Sequence, residues 1–365
     1  MRLPELDTPG ISYRFLGPTA LDRFCGLPNS PFVYLEATAG TIELASVWDE
    51  PSFPGLPGWD ILVSVGGHEA LIRSEDSTDA LPAHLTDPFS TFSWDPSRRA
   101  FTDPTGLYPL LKEARRRIRE AKTARGRTLA DVEPVALTSF PDIYSTLPTL
   151  AATTAAVLTA RLPIEIPAAL MEPWNANIEM PPMFHRTVLA ATLTGPWAER
   201  GLELLFRSGY IADILPEIAQ MDLIEHSKEG HPEGNVWRHS VETLRYRKSR
   251  DLTVALALLL HDSGKPQSSS NGVNKFDGHA DIGARVAAKI LARLGFHRET
   301  VDDVRWLVRH HMIPGALRRL PDYRRDPIMS SALFPLLLEV YRCDLSSTFR
   351  GPENYYDACT GYRRF

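Results

Sequence analysis

Cysteine is scarce in this chain. Only three occur in 365 residues, at 25, 343 and 359, and no two share a metal-finger spacing. An odd, scattered set excludes a disulfide scaffold and a cysteine-held zinc site, and leads us to expect a reducing, cytoplasmic setting. Long hydrophobic runs are missing too. The longest is the short stretch Leu252–Leu260, well below the roughly 20 apolar residues that span a bilayer, so no membrane partner is expected. The N-terminal Met-Arg-Leu-Pro-Glu-Leu-Asp has no apolar signal core. A strong charge of either sign is also absent. A formal net charge of −5 supplies no global basic field, so neither tight non-specific nucleic-acid binding nor DNA specificity is expected.

What is present sets the size of the problem. At 365 residues, 43% of them hydrophobic, the chain is long enough for two or three cored domains. Thirty prolines are spread unevenly. Residues 1–112 are rich in Pro, Gly, Ser and Asp, with β-like runs at Phe32–Leu35, Ile42–Val47 and Ile61–Val65, which predict an α+β head. From Leu110 to Lys122 the pattern becomes a charged amphipathic helix. Residues 148–162 and two patterns within 183–225 read as helices, the last stopping at Gly209. Residues 235–349 read as helices on short loops. The densest basic cluster, Arg115, Arg116, Arg117, Arg119, Lys122, Arg125 and Arg127, fits a solvated helix face and an RNA-phosphate contact equally well.

The chemistry lies in the last third. His239, His261-Asp262, His279, His310-His311 and Asp344 each fall at the end or on the face of an expected helix. His261-Asp262 ends the run 252–260, apolar but for Thr253, so both side chains emerge from a central buried helix. Asn235 is placed to cap the helix carrying His239, Gly264 to allow a tight exit, and Pro266 to prevent helix continuation. Imidazole and carboxylate together are ligands for manganese, iron, nickel or cobalt, with zinc also accommodated. Such a set holds one or two divalent ions while leaving positions open for water and substrate. A carboxylate at the doublet can bridge two ions, a position suited to activating water against phosphorus. Lys265 would add a positive charge toward a phosphate. Any one of these histidines alone would more often be a cap or core residue; the ordered set argues for a metal.

The stretches Gly230–His239, Leu259–Pro266, Gly278–Ala284 and Leu307–Met312 resemble the HD domain appended to bacterial CCA-adding tRNA nucleotidyltransferases. The likeness covers about residues 201–345, and Gly201–Phe206 and Ile214–Ile218 look like that family's neck. Ser263 departs from it, standing where the family usually has isoleucine. The resemblance implies a head at 1–112, a helical neck at 113–225 and an HD phosphohydrolase domain at 226–365. The implied fold is α+β: a degenerate nucleotidyltransferase-like α/β head, then an all-α neck and an all-α HD domain. In the head, Phe15–Gly26 looks like an eroded glycine-rich loop, and Pro31 and Val33 stand where the two magnesium-binding aspartates should fall. His84-Leu85-Thr86 replaces an Arg-Arg-Asp-type motif, and Leu147–Val157, where the base-reading segment belongs, holds no charged residue. Asp49, Glu50 and Asp60 are the carboxylates left for a rearranged site, and an unrelated α+β domain is the competing reading of the head.

The function implied is a metal-dependent phosphohydrolase acting on phosphomonoesters or 2′,3′-cyclic phosphodiesters of nucleotides or RNA ends, with tRNA a further partner. In it His239, His261, Asp262 and Asp344 hold one ion. Asp262, His279 and either His310 or His311 hold a second, Asp262 and Lys265 being the catalytic pair. The competing functions are a divergent CCA-adding enzyme and a non-catalytic tRNA-binding relative.

Overall fold

A computed structural model describes residues 11–28, 30, 32–48, 50–65, 68–77, 92–124, 129–138, 148–167, 173–174, 177, 179–225, 234–268, 276–348 and 351–364. Two compact units divide after Tyr210. The chain is mixed in class, with a sheet in the N-terminal unit and helices throughout the C-terminal one. Among the described residues no helix is long and apolar enough to cross a membrane.

The first unit is built on strands β1 (Tyr13–Leu16), β2 (Phe32–Ala37), β3 (Ile61–Val65), β4 (His68–Arg73), β5 (Ser93–Asp95) and β6 (Ala100–Thr102). They form one sheet in the order β3-β4-β2-β1-β5-β6, in which only β2 and β4 run parallel. β2 is central, and Phe32 to Leu35 are buried on both faces, as a run without polar alternation requires. Helix α1 (Gly17–Cys25) leaves β1 without a loop: Gly17 takes φ 43°, and its N–H donates to the Phe92 carbonyl at 2.8 Å.

One sequence expectation fails here. Residues 42–47 are not a strand; Thr41–Ala45 form a short helix, α2. The Asp76 carboxylate accepts from the Thr41 N–H at 2.9 Å and caps that turn from a distant segment. Only Leu44 of the helix is buried, so the apolar run had one inward position rather than an alternating face.

The expected basic helix spans Tyr108–Thr123 (α3). Its charges are largely engaged. Arg116 pairs with Glu113 and Glu120, Arg117 with Glu113, and Lys122 donates to the Gly26 carbonyl, while Arg115 lies 4.7 Å from the Phe24 ring centre. The self-paired face is the reading these contacts favour. Arg125 and Arg127 lie outside the described residues.

Helices α4 (Pro148–Arg161), α5 (Pro182–Leu193) and α6 (Ala198–Arg207) complete the unit. A side chain on Gly201 would meet the Ala156 carbonyl at 2.6 Å, so α4 and α6 pack backbone to backbone. Arg161, fully buried, donates to Asp22 at 2.5 Å, to Thr194 Oγ1 at 2.9 Å and to the Ala191 carbonyl at 3.1 Å. Asp22, from the loop-like stretch of the head, is therefore spent inside the unit on an arginine. Val33 is buried in β2 opposite Ala70, and Asp60 accepts from the Ser74 N–H and hydroxyl, so neither offers an ion a free carboxylate. Pro31, Asp49, His84–Thr86 and Leu147 lie outside the described residues.

The second unit carries α7 (Val236–Thr243), α8 (Leu252–Leu260), α9 (His279–Arg293), α10 (Arg298–His310), α11 (Phe334–Ser346) and α12 (Glu353–Arg364). Asn235 and Asp251 cap α7 and α8 with side-chain oxygens on the N–H of Arg238 and Val254, both at 2.9 Å. α8 is buried from Val254 to Leu260 and packs against α7, α10 and α11. An all-apolar helix can only be central. Arg293 on α9 forks onto Glu217 at 2.8 and 3.0 Å, tying residues 214–219 to the bundle.

Candidate metal centre

The site forms where α8 ends. The chain turns at residues 261–264, and the turn is closed by backbone contact. A side chain on Gly264 would meet the His279 carbonyl at 2.1 Å and the Gly283 N at 2.5 Å. Only glycine lets α9 approach this closely, which brings His279 against His261-Asp262. α8 does not continue past Leu260, and Pro266 lies in the first turn of a separate short helix, Lys265–Ser268, where its missing N–H costs nothing. Ser263, unusual at its position, is buried, and its hydroxyl donates to the Leu260 carbonyl at 2.7 Å, so the polar group is satisfied.

Six of the expected side chains meet: His239 from α7, His261 and Asp262 after α8, His279 from α9, His311 after α10 and Asp344 from α11. The donors divide into two sets that share Asp262, namely His239, His261 and Asp262, and Asp262, His279 and His311; within each the ligand atoms lie inside 4.8 Å of one another. Asp262 turns one oxygen to each side. Its Oδ2 stands 3.3 Å from His261 Nε2 and 3.9 Å from His239 Nε2, and its Oδ1 stands 3.5 Å from His279 Nε2 and 4.0 Å from His311 Nε2. Asp344 Oδ1 joins the first set, 2.9 Å from His239 Nε2 and 3.8 Å from His261 Nε2.

His310 does not join. Its Nδ1 donates to the Trp306 carbonyl at 2.8 Å and its ring lies on the Trp306 indole, centroids 4.5 Å apart. Adjacent helical residues point about 100° apart, so one of the doublet had to face away. His311 faces inward because it continues the buried stripe Val304, Leu307, Val308 at i, i+3, i+4, i+7. That stripe was the signal that separates the two histidines.

The tautomers follow from the partners. Nδ1 of His261, His279 and His311 lies 2.8, 2.7 and 2.7 Å from the carbonyls of Leu258, Phe276 and Val308. A carbonyl only accepts, so each neutral ring carries its proton on Nδ1 and presents a bare Nε2 lone pair inward. Nε2 of His279 and Nε2 of His311 are 3.3 Å apart. Two lone pairs at that distance repel unless a cation lies between them. Two imidazole nitrogens bound at about 2.1 Å to one ion at a tetrahedral angle stand about 3.4 Å apart. The donor set therefore fits a divalent ion.

Protonation states agree. Burial pushes the His311 imidazole down to about 4, with His261 and His279 adding to the shift, and burial likewise pushes His279 down. Burial alone would raise the Asp262 carboxyl, but His261, Lys265 and His239 beside it hold it well below the usual carboxylate range. Asp344 is lowered too: burial opposes the shift, and the His239 hydrogen bond and the neighbouring His261 outweigh it. Neutral imidazoles and ionised carboxylates are the forms that ligate.

Lys265 Nζ sits 2.6 Å from Asp262 Oδ2 and 5.3 Å from the centre of the Phe276 ring. Two residues escaped the sequence reading. Ser347, one turn after Asp344, donates its hydroxyl to the Asp344 carbonyl at 2.7 Å, and its oxygen stands 3.2 Å from His239 Nδ1. It thereby fixes the ring that faces Asp344, and its only sequence signal was the i+3 spacing. Phe276 holds the His279 ring through its carbonyl and takes φ 74°, rare for a bulky residue. Nothing in its sequence neighbourhood announces that.

Residues 235–332 match the HD domain family. The chain is 34% identical over 145 residues to the CC-adding tRNA nucleotidyltransferase of Thermus thermophilus, covering 38% of this chain and 32% of that protein. It is 31% identical over 182 residues to the A-adding tRNA nucleotidyltransferase of Deinococcus radiodurans, covering 46% and 40%. The chain thus spans 32% and 40% of the length of these two relatives. Among solved structures, the Bacillus stearothermophilus CCA-adding enzyme in complex with CTP is similar at 15% identity and a TM-score of 0.44, over 99% of this chain and 80% of that one.

Proposed function

We propose, from the HD domain at residues 235–332 and the side chains it gathers, that this chain is a metal-dependent phosphohydrolase. Its substrates are phosphomonoesters or 2′,3′-cyclic phosphodiesters of nucleotides or RNA ends. The observation that carries the reading is the facing pair of Nε2 atoms on His279 and His311, 3.3 Å apart with both Nδ1 atoms engaged on carbonyls.

His239, His261, Asp262 and Asp344 would hold one ion, and Asp262, His279 and His311 a second. A divalent ion bound there supplies Lewis acidity toward a phosphoryl oxygen and lowers the pKa of water. The chain's own groups do the rest. The backbone carbonyls of Leu258, Phe276 and Val308 keep three imidazoles in the ligating tautomer. Asp262 serves both sets, one oxygen each. Asp344, with its side chain 25% exposed against 3% for Asp262, marks the side from which substrate and water enter. Lys265, 2.6 Å from Asp262, balances that charge and would offer its ammonium to a bound phosphoryl group. The head takes no part in phosphoryl transfer in this account, since the described residue at the expected magnesium position, Val33, is buried and apolar.

The relatives' names favour one other reading, nucleotide addition to tRNA. A paired assay separates the two. Purified chain, stripped with chelator and resupplied with Mn²⁺ or Ni²⁺, is given 2′,3′-cyclic AMP and, separately, CTP with a tRNA lacking its 3′ end. Hydrolysis lost in Asp262→Ala, with no CTP incorporation, supports the phosphohydrolase. Incorporation without hydrolysis refutes it.

A further inference from the structure

Beyond His311 the chain builds a second concavity that the metal set does not use. Residues 313–319 form a 3₁₀ turn, Asp322–Met329 a helix, and α12 closes the far wall. Between them lies a cleft of about 550 Å³, lined among others by Arg318, Arg319, Arg325 and Asn354. That volume is in the range of small-molecule sites. Its lining divides chemically. Pro314, Leu317 and Met329 are buried and apolar and make a floor. Three guanidinium groups and one carboxylate, Asp357, line the rest, and among the described residues only Arg319 of the three has no carboxylate partner.

The arginines are not equally committed. Arg325 is held by Asp322 and Asp326 at 2.8 and 2.9 Å, and Arg318 pairs with Asp357 at 2.6 Å at the exposed rim. Arg319 is exposed and makes no ion pair among the described residues. A fork of N–H donors with no carboxylate partner is suited to a phosphate.

The cleft is attached to the metal centre by covalent and packing links. Pro314 is three residues past His311, so their Cα atoms stand at most about 11 Å apart. A side chain on Gly315 would meet Tyr341 Oη at 2.7 Å, which presses the 3₁₀ turn onto α11 one turn before Asp344. The same two segments thus carry two metal-set residues and one wall of the cleft.

We propose that this cleft binds a nucleoside monophosphate unit: a flat heterocycle on the apolar floor, its edge toward the Asn354 amide, and a dianionic phosphate on Arg319 and Arg318. Inorganic phosphate would leave the apolar half unfilled, and a neutral nucleoside would leave the charge uncompensated. The unit is supplied by a free nucleotide or by the end of an RNA. The placing of the cleft beside a hydrolytic centre rests on the phosphohydrolase reading; the binding itself does not.

The test is calorimetric titration of the full chain, in EDTA so that metal plays no part, with AMP, with adenosine and with a 3′-phosphorylated RNA dodecamer. Two variants accompany the wild type. Arg319→Gln removes the uncommitted guanidinium. Gly361→Leu fills the cleft from α12, where nothing lies within 4 Å of the added Cβ. Binding of AMP or the RNA, at least tenfold weaker in both variants and at least tenfold weaker for adenosine, is the expected result. AMP binding alone assigns a free nucleotide, and tighter RNA binding assigns an RNA end. No binding to wild type, or binding unchanged in both variants, overturns the proposal. Binding that behaves as expected in a chain without hydrolytic activity keeps the cleft and refutes the phosphohydrolase reading instead.

Discussion

Exchanging the two adjacent histidines for alanine, one at a time, should give opposite results. His311 lies 2% exposed inside the cluster, and its Nε2 faces that of His279. His310 spends its Nδ1 on Trp306 and its ring on the indole. Removing a group that merely orients a ligand costs roughly 10- to 100-fold in metal affinity. Removing one of the three ligands of the set Asp262, His279 and His311 should therefore cost at least about 100-fold, or about 2.7 kcal/mol. His310→Ala should leave affinity within about threefold and lower stability by about 1 kcal/mol through the lost ring contact. Mn²⁺ binding to chelator-stripped protein is followed by titration calorimetry, with thermal denaturation run on each variant to separate ligand loss from fold loss. Equal loss of metal in both variants, or loss in His310→Ala alone, would refute the geometry argued for this helix end.

Three further outcomes follow from the same contacts. Gly264→Ala should destabilise the chain by about 3 kcal/mol in urea denaturation, because its Cβ would meet backbone atoms of α9 that have no room to move; an unchanged midpoint would mean that the turn is not held as described. Ser347→Ala should weaken metal binding about 10- to 100-fold with little change in stability, since it frees the His239 ring without emptying the core; unaltered affinity in dialysis against Mn²⁺ would count against its orienting role. The metal-free protein should lose stability as pH falls from about 6.5 toward about 4. His311 is depressed to about 4 when folded, so in that window only the unfolded chain takes up its proton and ΔG of unfolding drops with pH. Lowered carboxylates such as Asp262 extend the loss further, but only below the ordinary carboxylate value. Denaturant midpoints that stay flat between pH 6.5 and 4 would contradict a buried neutral imidazole at 311.

Legibility varied with the physics of each segment. α8 was readable because seven consecutive apolar residues, Val254–Leu260, soon after a capping aspartate admit only a buried helix, and its end dictated where His261 and Asp262 emerge. The His311 assignment was present in the 304-307-308-311 stripe, although the doublet by itself was ambiguous. Residues 42–47 misled because a six-residue apolar-polar run does not distinguish helix from strand when the deciding contact, Asp76 on Thr41, comes from 35 residues away. Ser347 and Phe276 were illegible for a similar reason. One acts through a hydroxyl whose partner is 108 residues distant in sequence, the other through a backbone carbonyl and a positive φ. In the head, the sequence itself showed Pro31 and Val33 where the resemblance led us to expect carboxylates. That Asp22 is consumed by Arg161, 139 residues later, required the packed structure.

The central claim is that the buried His/Asp set holds a divalent ion that hydrolyses phosphate esters. Its most direct test measures bound metal and 2′,3′-cyclic AMP turnover on the same samples as Mn²⁺ is added to stripped wild type and to Asp262→Asn. The account predicts turnover that rises with bound metal in the wild type, and loss of both together in the variant. Turnover that persists in stripped protein, or in Asp262→Asn, would contradict it.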